Sequence, residues 1–487
     1  MLDFITLTDG YKLDHRRQYP LGTEYVYSNF TPRSTRIPGQ DKVALFGLQY
    51  FLARYLGEIA EETFFERPRS QVLREYERFT NSYLGPNSIG VQHIADLHDL
   101  GYIPLQFWAL PEGTLVPLRV PMFTFQNTHP DFFWVTNYIE TLLSSVLWLP
   151  CTSATTAYRY RQLLNKYARK TGDEAFVDWQ GHDFSFRGMA SPEAAALSGA
   201  GHLLSFSGTD TIPAIKLLER YYGGEGLIGG SVPATEHSVM CAGGQDDELE
   251  TFRRLLELYP GGILSVVSDT WDLWNVITKI LPQLKAQIMA RPGKLVIRPD
   301  SGDPADILCG WGCPDGPNSR PSHKGVIQLL WDIFGGTVNE KGYKVLDSHI
   351  GAIYGDSITE DRARDICARL EAKGFASTNV VLGIGSYTYN YVTRDTNGFA
   401  VKATWARVNG REHQLFKDPA TDDGVKRSAR GKLIVAGISG SLQLVDSLSV
   451  DEWLTLGNRD ELSLVWQDGS FVKTQTLAEI REVLASN

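Results

Sequence analysis

Cysteine is scarce in this sequence and follows no recognisable pattern. Five cysteines are scattered over 487 residues, an odd number too small to build a disulfide framework in a chain of this length. Cys309, Cys313 and His323 lie near one another, but their spacing does not match a zinc knuckle and a fourth ligand is missing. The sequence therefore argues against a disulfide-stabilised scaffold and against a structural zinc site.

Long apolar runs are also lacking. None approaches the roughly 20 residues that cross a bilayer as a helix. The start, Met1-Leu2-Asp3-Phe4, has neither the basic stretch nor the apolar core of a secretory signal. We therefore expect a cytoplasmic protein with no membrane partner.

Positive charge is in deficit, since 47 Lys and Arg residues face 57 Asp and Glu residues for a formal net charge of -10. Nucleic-acid-binding proteins usually present a basic face, so we expect no nucleic-acid partner. An anionic ligand would instead have to meet cations that are concentrated locally. The cations that stand in suitable loops are Arg33, Arg36, Arg187, Arg298, Arg394, Lys402, Lys417, Lys426 and Arg427.

Internal repeats of fixed period are absent, so the domain organisation follows from length and local pattern. A chain of 487 residues exceeds what one hydrophobic core usually fills. Alternating runs with turn residues predict hairpins at 102–126 and around Asn409-Gly410, whereas 131–149 and 153–169 have helical patterns on either side of Pro150. We predict a β-rich α+β domain formed by 1–150 with 395–487, around a (β/α) barrel at 151–394.

The barrel prediction depends on polar residues that recur just after short β-branched runs. Such runs end at Phe184 and Arg187, at Asp269, at Arg298 and Asp300, at Gly355 and Asp356, and at Gly385 and Ser386. A (β/α) barrel carries its site at the carboxyl ends of its strands, where glycine lets backbone N–H groups approach a phosphate. A lone glycine-rich loop is a weak signal, but the recurrence of polar residues at successive strand ends favours a phosphate site here.

His237 is the candidate for proton or phosphoryl transfer. It follows Glu236, and Asp269 ends the next apolar run. A carboxylate that meets an imidazole fixes its tautomer and suits it to nucleophilic attack on phosphorus. A single histidine more often has a structural role; the neighbouring loops, with their arginines for phosphates and carboxylates for sugar hydroxyls or Mg²⁺, favour the catalytic interpretation.

Eight motifs in order resemble the nicotinamide phosphoribosyltransferase family, over about residues 8–430. They are Thr8-Asp9-Gly10-Tyr11-Lys12, Asp183-Phe184-Ser185-Phe186-Arg187-Gly188, Gly208-Thr209-Asp210-Thr211, Ser231-Val232-Pro233-Ala234-Thr235-Glu236-His237-Ser238, Val266-Val267-Ser268-Asp269, Ile297-Arg298-Pro299-Asp300-Ser301-Gly302, Gly355-Asp356 and Phe416-Lys417-Asp418-Pro419. The resemblance implies the fold of type II phosphoribosyltransferases, with an irregular barrel, and a homodimer with shared sites. It also implies that nicotinamide reacts with phosphoribosyl pyrophosphate to give nicotinamide mononucleotide and pyrophosphate.

The same resemblance assigns roles to individual residues. The nicotinamide ring would lie between Phe184 of one subunit and Tyr11 of its partner. Asp210 would accept from the carboxamide, and Arg187 would lie beside it. His237, supported by Glu236 and Asp269, would be phosphorylated by ATP, a co-substrate that stimulates synthesis. The expected ribose and phosphate contacts are Ser265, Arg298, Asp300, Gly355, Asp356, Gly385, Ser386 and Arg394, with Arg33, Lys402 and Lys417 at the polyphosphate. Mg²⁺ is the expected cofactor, with no direct protein ligand assigned.

One departure concerns the phosphate loop. Where the family has a longer glycine run, this chain has Gly383-Ile384-Gly385-Ser386-Tyr387, so we expect Ile384 and Tyr387 to narrow that loop.

Two other functions stay open at this stage. A nicotinate or quinolinate phosphoribosyltransferase would use the same fold, although Asp210 would repel a substrate carboxylate. A non-catalytic binding or signalling protein could keep the barrel as a scaffold, although the set of His237, Asp269, Arg298 and Asp300 argues against it.

Overall fold

The computed structural model describes residues 3–311, 320–355, 357–417, 429–438 and 441–486. The chain folds as two compact units. The first comprises Met1–Thr155, Leu217–Gly224 and Val392–Asn487, and the second comprises Thr156–Lys216 and Glu225–Tyr391.

The first unit contains a seven-stranded antiparallel sheet built from both ends of the chain. Its strands lie in the order Arg411–Gln414, Phe399–Val408, Thr23–Pro32, Phe123–Asn127, Leu105–Ala109, Ser463–Gln467 and Ser470–Phe471. Asn409 and Gly410 join the first two strands with φ of 49° and 71°, as a type I′ hairpin requires. The pairing of N-terminal with C-terminal strands confirms the predicted β-rich domain.

Two smaller antiparallel sheets and several helices complete this unit. The small sheets pair Lys42–Ala44 with Leu115–Pro117, and Lys432–Ile438 with Ser441–Leu448. The α-helices that lie within the unit are His15–Gln18, Leu48–Phe51, Arg69–Leu84, Gln92–Leu100, Val135–Tyr138, Val450–Leu456 and Leu477–Ala485. Leu52–Ile59 and Glu61–Phe65 are π-helical.

The prediction of two helices on either side of Pro150 is wrong. A single helix runs over Glu140–Thr171 with Pro150 inside it, although proline removes a helical hydrogen bond. The Pro150 ring lies against Gly47, where an added Cβ would be 2.8 Å from the proline Cγ. The local sequence pattern does not reveal this contact, because Gly47 is distant from Pro150 in the chain.

The second unit contains a six-stranded parallel sheet. Its strands lie in the order Gly208–Thr209, Gly181–Asp183, Val380–Ile384, Ile350–Tyr354, Gly293–Arg298 and Gly262–Val267. The helices are Val177–Gln180, Pro192–His202, Ile212–Tyr222 (which continues into the first unit), His237–Cys241, Glu248–Leu258, Leu273–Asn275, Leu281–Ala290, Pro304–Cys309, Pro321–Lys324, Val326–Phe334, Glu360–Ala372 and Ser386–Asn390, with a π-helical turn at Val276–Ile280 and a short antiparallel pair at Gly336–Val338 and Lys344–Leu346. This curled parallel sheet with its helices confirms the irregular (β/α) barrel.

An extended segment links the two edges of the curled sheet. Gly230 bridges to Gly208 at one edge, and Ala234 bridges to Ser265 at the other. The Thr209 N–H donates to the Gly230 carbonyl (3.0 Å) and the Thr235 N–H to the Ser265 carbonyl (3.0 Å). Residues 230–235 therefore lead straight from the sheet into His237, which begins the next helix.

Apolar residues on one face of the strands hold the second unit together. Leu264, Ile297, Ala352, Leu382 and Ile384 share this face by register, are at most 2% exposed and form one continuous core with the surrounding helices. Since all six strands point the same way, their carboxyl ends meet at one edge. Among the described residues, no helix has both the length and the hydrophobicity needed to cross a membrane.

Candidate active site

Unpaired polar atoms converge at the carboxyl ends of the barrel strands. Asp269 Oδ1, Arg298 Nε and Asp300 Oδ1 are buried and have no hydrogen-bond partner within the described part of the chain. The side chains of Asp269 and Arg298 are only 5% and 14% exposed. A buried polar atom without a partner costs about 1–3 kcal/mol, so this edge is built to receive a polar ligand.

Gly355 provides the space in front of two of these atoms. A Cβ at this position would lie 2.1 Å from Asp300 Oδ1 and 2.9 Å from Arg298 Nε, so any side chain would collide with both groups. Glycine is therefore required by the close approach of the Asp300 and Arg298 side chains. The neighbouring candidate, Asp356, lies outside the described residues.

His237 lies between two carboxylates at the same edge. Its Nε2 is 3.7 Å from Asp300 Oδ2 and 4.0 Å from Asp269 Oδ1, and its Nδ1 is 3.3 Å from the Thr270 hydroxyl. The imidazole is 48% exposed, so a phosphoryl donor can reach it. Glu236 accepts instead from the Ser238 hydroxyl, so within the described chain Asp269 and Asp300 are the carboxylates that approach the ring.

Asp269 also fixes the loop that carries Asp300. Its Oδ2 accepts from the Asp300 N–H at 3.0 Å and from the Ser301 hydroxyl at 2.5 Å. Two successive strand ends are thereby tied together, which holds the carboxylates beside His237 in a fixed arrangement.

Phe184 and Asp210 lie on neighbouring strand ends and share a contact with His182. The Phe184 ring has the Arg298 guanidinium 5.4 Å from its centroid and the His182 ring at 4.5 Å. His182 Nε2 is 3.0 Å from Asp210 Oδ1. Burial favours the neutral form of Asp210, but hydrogen bonds from His182 and Ser231 outweigh it and lower the pKa of this carboxyl. Sequence reasoning missed His182, although it stands two residues before Phe184, on the same strand face.

The loops with Arg187 and Ser386 also meet. Arg187 is exposed in the turn Phe186–Gly188, and a Cβ on Gly188 would lie 2.0 Å from Ser386 Oγ. Gly385 is buried just after the strand that ends at Ile384. These three candidates therefore belong to the same edge as Phe184.

Ser265, in contrast, lies inside its strand. It is 5% exposed, and its N–H donates to the Pro233 carbonyl at 2.9 Å. The contacts of Ser265 therefore serve the closing segment of the sheet.

The expected narrowing of the phosphate loop is wrong for Ile384. This side chain is fully buried in the barrel core, so it cannot line the loop. Tyr387 is 56% exposed and stacks on Tyr391, with ring centroids 5.0 Å apart. Of the two residues that depart from the glycine run, Ile384 therefore packs in the core, and Tyr387 forms an exposed aromatic pair with Tyr391.

The first unit contains a separate cavity of about 430 Å³ that is rich in cations. The basic residues that line it are Arg33, Arg119, Lys402, Lys417 and Arg430. Burial lowers the pKa of Lys402, and the charges of Lys417 and Arg33 lower it further, against the opposite effect of Glu140. Clustered like charges favour an anionic guest. All three predicted phosphate-binding residues of this unit therefore line one cavity, with Arg119 and Arg430 added by the structure.

Two further candidates belong to the first unit. The Tyr11 ring is 62% exposed on a short helical turn, Gly10–Asp14, which a 2.5 Å ion pair between Lys12 and Glu140 anchors. Arg394 is exposed and pairs with Asp395 at 3.0 Å. An exposed aromatic ring on an anchored turn is a surface that another molecule can use.

Comparisons with known proteins agree on the family. The family model described as Nicotinate phosphoribosyltransferase (NAPRTase) family matches residues 179–468, and the one described as Nicotinamide phosphoribosyltransferase, N-terminal domain, matches residues 3–107. A protein of Acinetobacter baylyi named nicotinamide phosphoribosyltransferase is 53% identical over 98% of this chain and 96% of its own. A protein of Xanthomonas campestris pv. campestris with the same name is 35% identical over 97% and 96%.

Solved structures show the same fold at low identity. Nicotinate-nucleotide pyrophosphorylase from Pyrococcus furiosus superposes with a TM-score of 0.56 at 15% identity, covering 99% of this chain and 95% of its own. Human nicotinic acid phosphoribosyltransferase gives 0.53 at 17% identity, covering 98% and 93%. Together with the relatives of high identity, these matches show that the chain is an enzyme that belongs to the nicotinamide phosphoribosyltransferases, within the broader nicotinate phosphoribosyltransferase family.

Proposed function

We propose that this enzyme transfers the 5-phosphoribosyl group of phosphoribosyl pyrophosphate to nicotinamide, which yields nicotinamide mononucleotide and pyrophosphate for NAD salvage. The observation that carries the proposal is the 53% identity, over 98% of the chain, to a relative of that name. The unpaired polar atoms at the barrel edge support it, because a ribose with phosphates supplies the partners that they lack.

Arg298, Asp300 and Gly355 are suited to the ribosyl and phosphate groups. Asp300 Oδ1 can accept from a ribose hydroxyl, and Arg298 Nε can donate to a phosphate oxygen, in the space that Gly355 leaves open. Asp356, Gly385, Ser386 and Arg394 are the other proposed ribose and phosphate contacts, whereas Ser265, which lies inside its strand, is left out of the proposal. The cations Arg33, Lys402 and Lys417 would meet the polyphosphate.

Phe184 and Asp210 are suited to the pyridine base. Stacking on Phe184 would hold the ring, and the Asp210 carboxylate would accept from the carboxamide N–H₂, with Arg187 beside it. Tyr11 of a second subunit would cover the other face of the ring, which its exposure supports. The proposal therefore includes a homodimer with shared sites, because an aromatic ring supplied in trans requires a partner.

The residues act on the reaction through position and charge. The bond between the ribose C1′ and the pyrophosphate oxygen breaks, and a bond from C1′ to the pyridine nitrogen forms. Cations that hold the leaving pyrophosphate stabilise the charge that develops on it. Stacking aligns the ring nitrogen with C1′, which lowers the entropic part of the activation barrier.

Mg²⁺ fits this site as a companion of the substrate. Within the described residues, no group of three or more His, Cys, Asp or Glu side chains is placed to hold a metal ion. Mg²⁺ commonly uses one or two carboxylates plus substrate phosphates, and the unpaired Oδ1 of Asp269 would be such a carboxylate ligand. When bound, the ion would neutralise phosphate charge.

ATP would enter through His237. In the proposed step a ring nitrogen of His237 attacks the γ-phosphorus, the bond to the β-phosphate oxygen breaks, and ADP leaves. Water later hydrolyses the phosphohistidine to inorganic phosphate. The exposure of the imidazole and the approach of Asp269 and Asp300 support this role, because nearby carboxylates stabilise positive charge on the ring.

A steady-state assay separates this proposal from its rivals. The enzyme is supplied with phosphoribosyl pyrophosphate and Mg²⁺, and with nicotinamide, nicotinate or no base, each with and without ATP. We expect nicotinamide mononucleotide as the main product, with ATP raising the rate. Turnover of nicotinate alone would establish a nicotinate phosphoribosyltransferase, and the absence of any nucleotide product would favour a non-catalytic role. The cytoplasmic location stays a prediction.

A further inference from the structure

His182 contacts both of the side chains that the proposed function assigns to the base. Its Nε2 is 3.0 Å from Asp210 Oδ1, and its ring centroid is 4.5 Å from that of Phe184. The His182 side chain is 11% exposed, whereas that of Asp210 is 42% exposed. One nearly buried imidazole thus braces the proposed stacking ring and the proposed acceptor.

The neighbouring strand fixes the position of His182 relative to Asp210. His182 pairs in register with Gly208 on the neighbouring strand, and a Cβ at Gly208 would lie 2.8 Å from His182 Nδ1. The Asp210 N–H donates to the Asp183 carbonyl at 3.0 Å, so the two strand ends keep a fixed spacing. The pairing of His182 with Asp210 is therefore set by the sheet itself.

Asp210 is not occupied by capping the helix that follows it. Thr209 Oγ1 accepts from the Thr211 N–H at 2.9 Å, and the Ile212 N–H donates to the backbone carbonyl of Asp210 at 3.1 Å. A carboxylate has about four acceptor positions, and His182 and Ser231 use part of them. Acceptor capacity on the half-exposed carboxylate is thus left for a ligand.

We propose that His182 is a positioning residue that determines base specificity, by holding Asp210 in the orientation that accepts from the carboxamide of nicotinamide. To donate to the carboxylate, His182 carries a proton on Nε2. The remaining acceptor positions of Asp210 then face the ligand, where an amide N–H₂ can donate to them and a substrate carboxylate cannot. This inference rests on the proposed function and assigns to His182 a role that acts through Asp210.

The test compares three variants at this position. His182→Leu removes the donor, and His182→Asn places its amide near the position of Nδ1, too short to reach Asp210. His182→Gln keeps a donor near the position of Nε2. For both Leu and Asn we expect the ratio of kcat/KM for nicotinamide over nicotinate to fall about tenfold, mainly through a higher KM for nicotinamide. For Gln we expect a ratio within about threefold of wild type.

A double-mutant cycle shows whether His182 acts through Asp210. In an Asp210→Asn background, His182→Leu should change the ratio by less than about twofold, because no carboxylate is left to orient. His349→Leu is the matched control, since it breaks another histidine–aspartate pair of the same unit, with Asp347 at 2.6 Å, before the amino end of the strand Ile350–Tyr354. We expect that control to keep the wild-type ratio.

The proposal is overturned by an unchanged ratio in His182→Leu and His182→Asn, or by an equal loss in the wild-type and Asp210→Asn backgrounds. If His182→Leu does not fold, His182→Asn and the Gln variant still decide the matter. A wild-type enzyme that uses neither base would refute the proposed function itself. Turnover of nicotinamide by wild type with no effect of His182 would refute only this inference.

Discussion

Replacing Asp210 with asparagine removes one negative charge from the proposed base site while keeping the shape of the side chain. Nicotinamide and nicotinate differ only in the group that Asp210 would face. The carboxylate gives nicotinamide a charge-assisted acceptor, worth roughly 1.5–3 kcal/mol. For nicotinate it brings two like charges together, which is repulsive.

The structure allows the size of the effect to be worked out. Two unit charges about 4 Å apart interact by roughly 4 kcal/mol at an effective dielectric constant near 20. The Asp210 side chain is 42% exposed, so solvent screens part of this repulsion. About 1.4–2.8 kcal/mol then remains, which corresponds to a tenfold to hundredfold change in preference.

The assay measures kcat/KM for both bases with wild type and Asp210→Asn. We expect the ratio of nicotinamide to nicotinate efficiency to fall tenfold to hundredfold in the variant. An unchanged ratio would refute base recognition by Asp210. That result would leave Asp210 as a residue that only pairs with His182 at the strand end.

Three further outcomes are expected. His237→Ala should abolish the stimulation by ATP but keep slow synthesis without it, because transfer itself depends on positioning; equal loss of both rates would point to another role. Tyr11→Ala should raise the KM for nicotinamide more than it lowers kcat. Mixing Tyr11→Ala subunits with Arg298→Ala subunits should give more activity than either variant alone, because a hybrid dimer has one intact site; no such gain would argue against shared sites. Burial raises the pKa of Glu112 from 4.5 to about 7. The stability that protonated Glu112 contributes is therefore complete below pH 4.5 and should be lost as the pH rises through 7. Measured by urea unfolding between pH 5 and 7, the free energy of unfolding should fall with pH by up to about 1.4 kcal/mol per pH unit less in Glu112→Gln than in wild type. The same dependence on pH in both proteins would refute the assignment.

Much of the site could be predicted from sequence because parallel strands bring their carboxyl ends together. Asp269, Arg298, Asp300 and Gly355 each follow an apolar run, and the structure brings them to one edge. The order of the strands need not be known to place these residues together, since residues just after any barrel strand lie near the same site.

The remaining features depend on contacts between residues distant in sequence. Pro150 lies within a helix and against Gly47, more than a hundred residues earlier. His182 meets Asp210 only through the pairing of two short strands. Arg119, at φ 71°, joins the cationic cavity from a turn that has no phosphate-binding pattern in sequence.

The most direct test of the central claim is the ratio of kcat/KM for nicotinamide to that for nicotinate, measured on the wild-type enzyme with phosphoribosyl pyrophosphate and Mg²⁺. The charge of Asp210 predicts a ratio of at least about ten in favour of nicotinamide, with one pyrophosphate released per nicotinamide mononucleotide formed. A ratio below one would contradict the account.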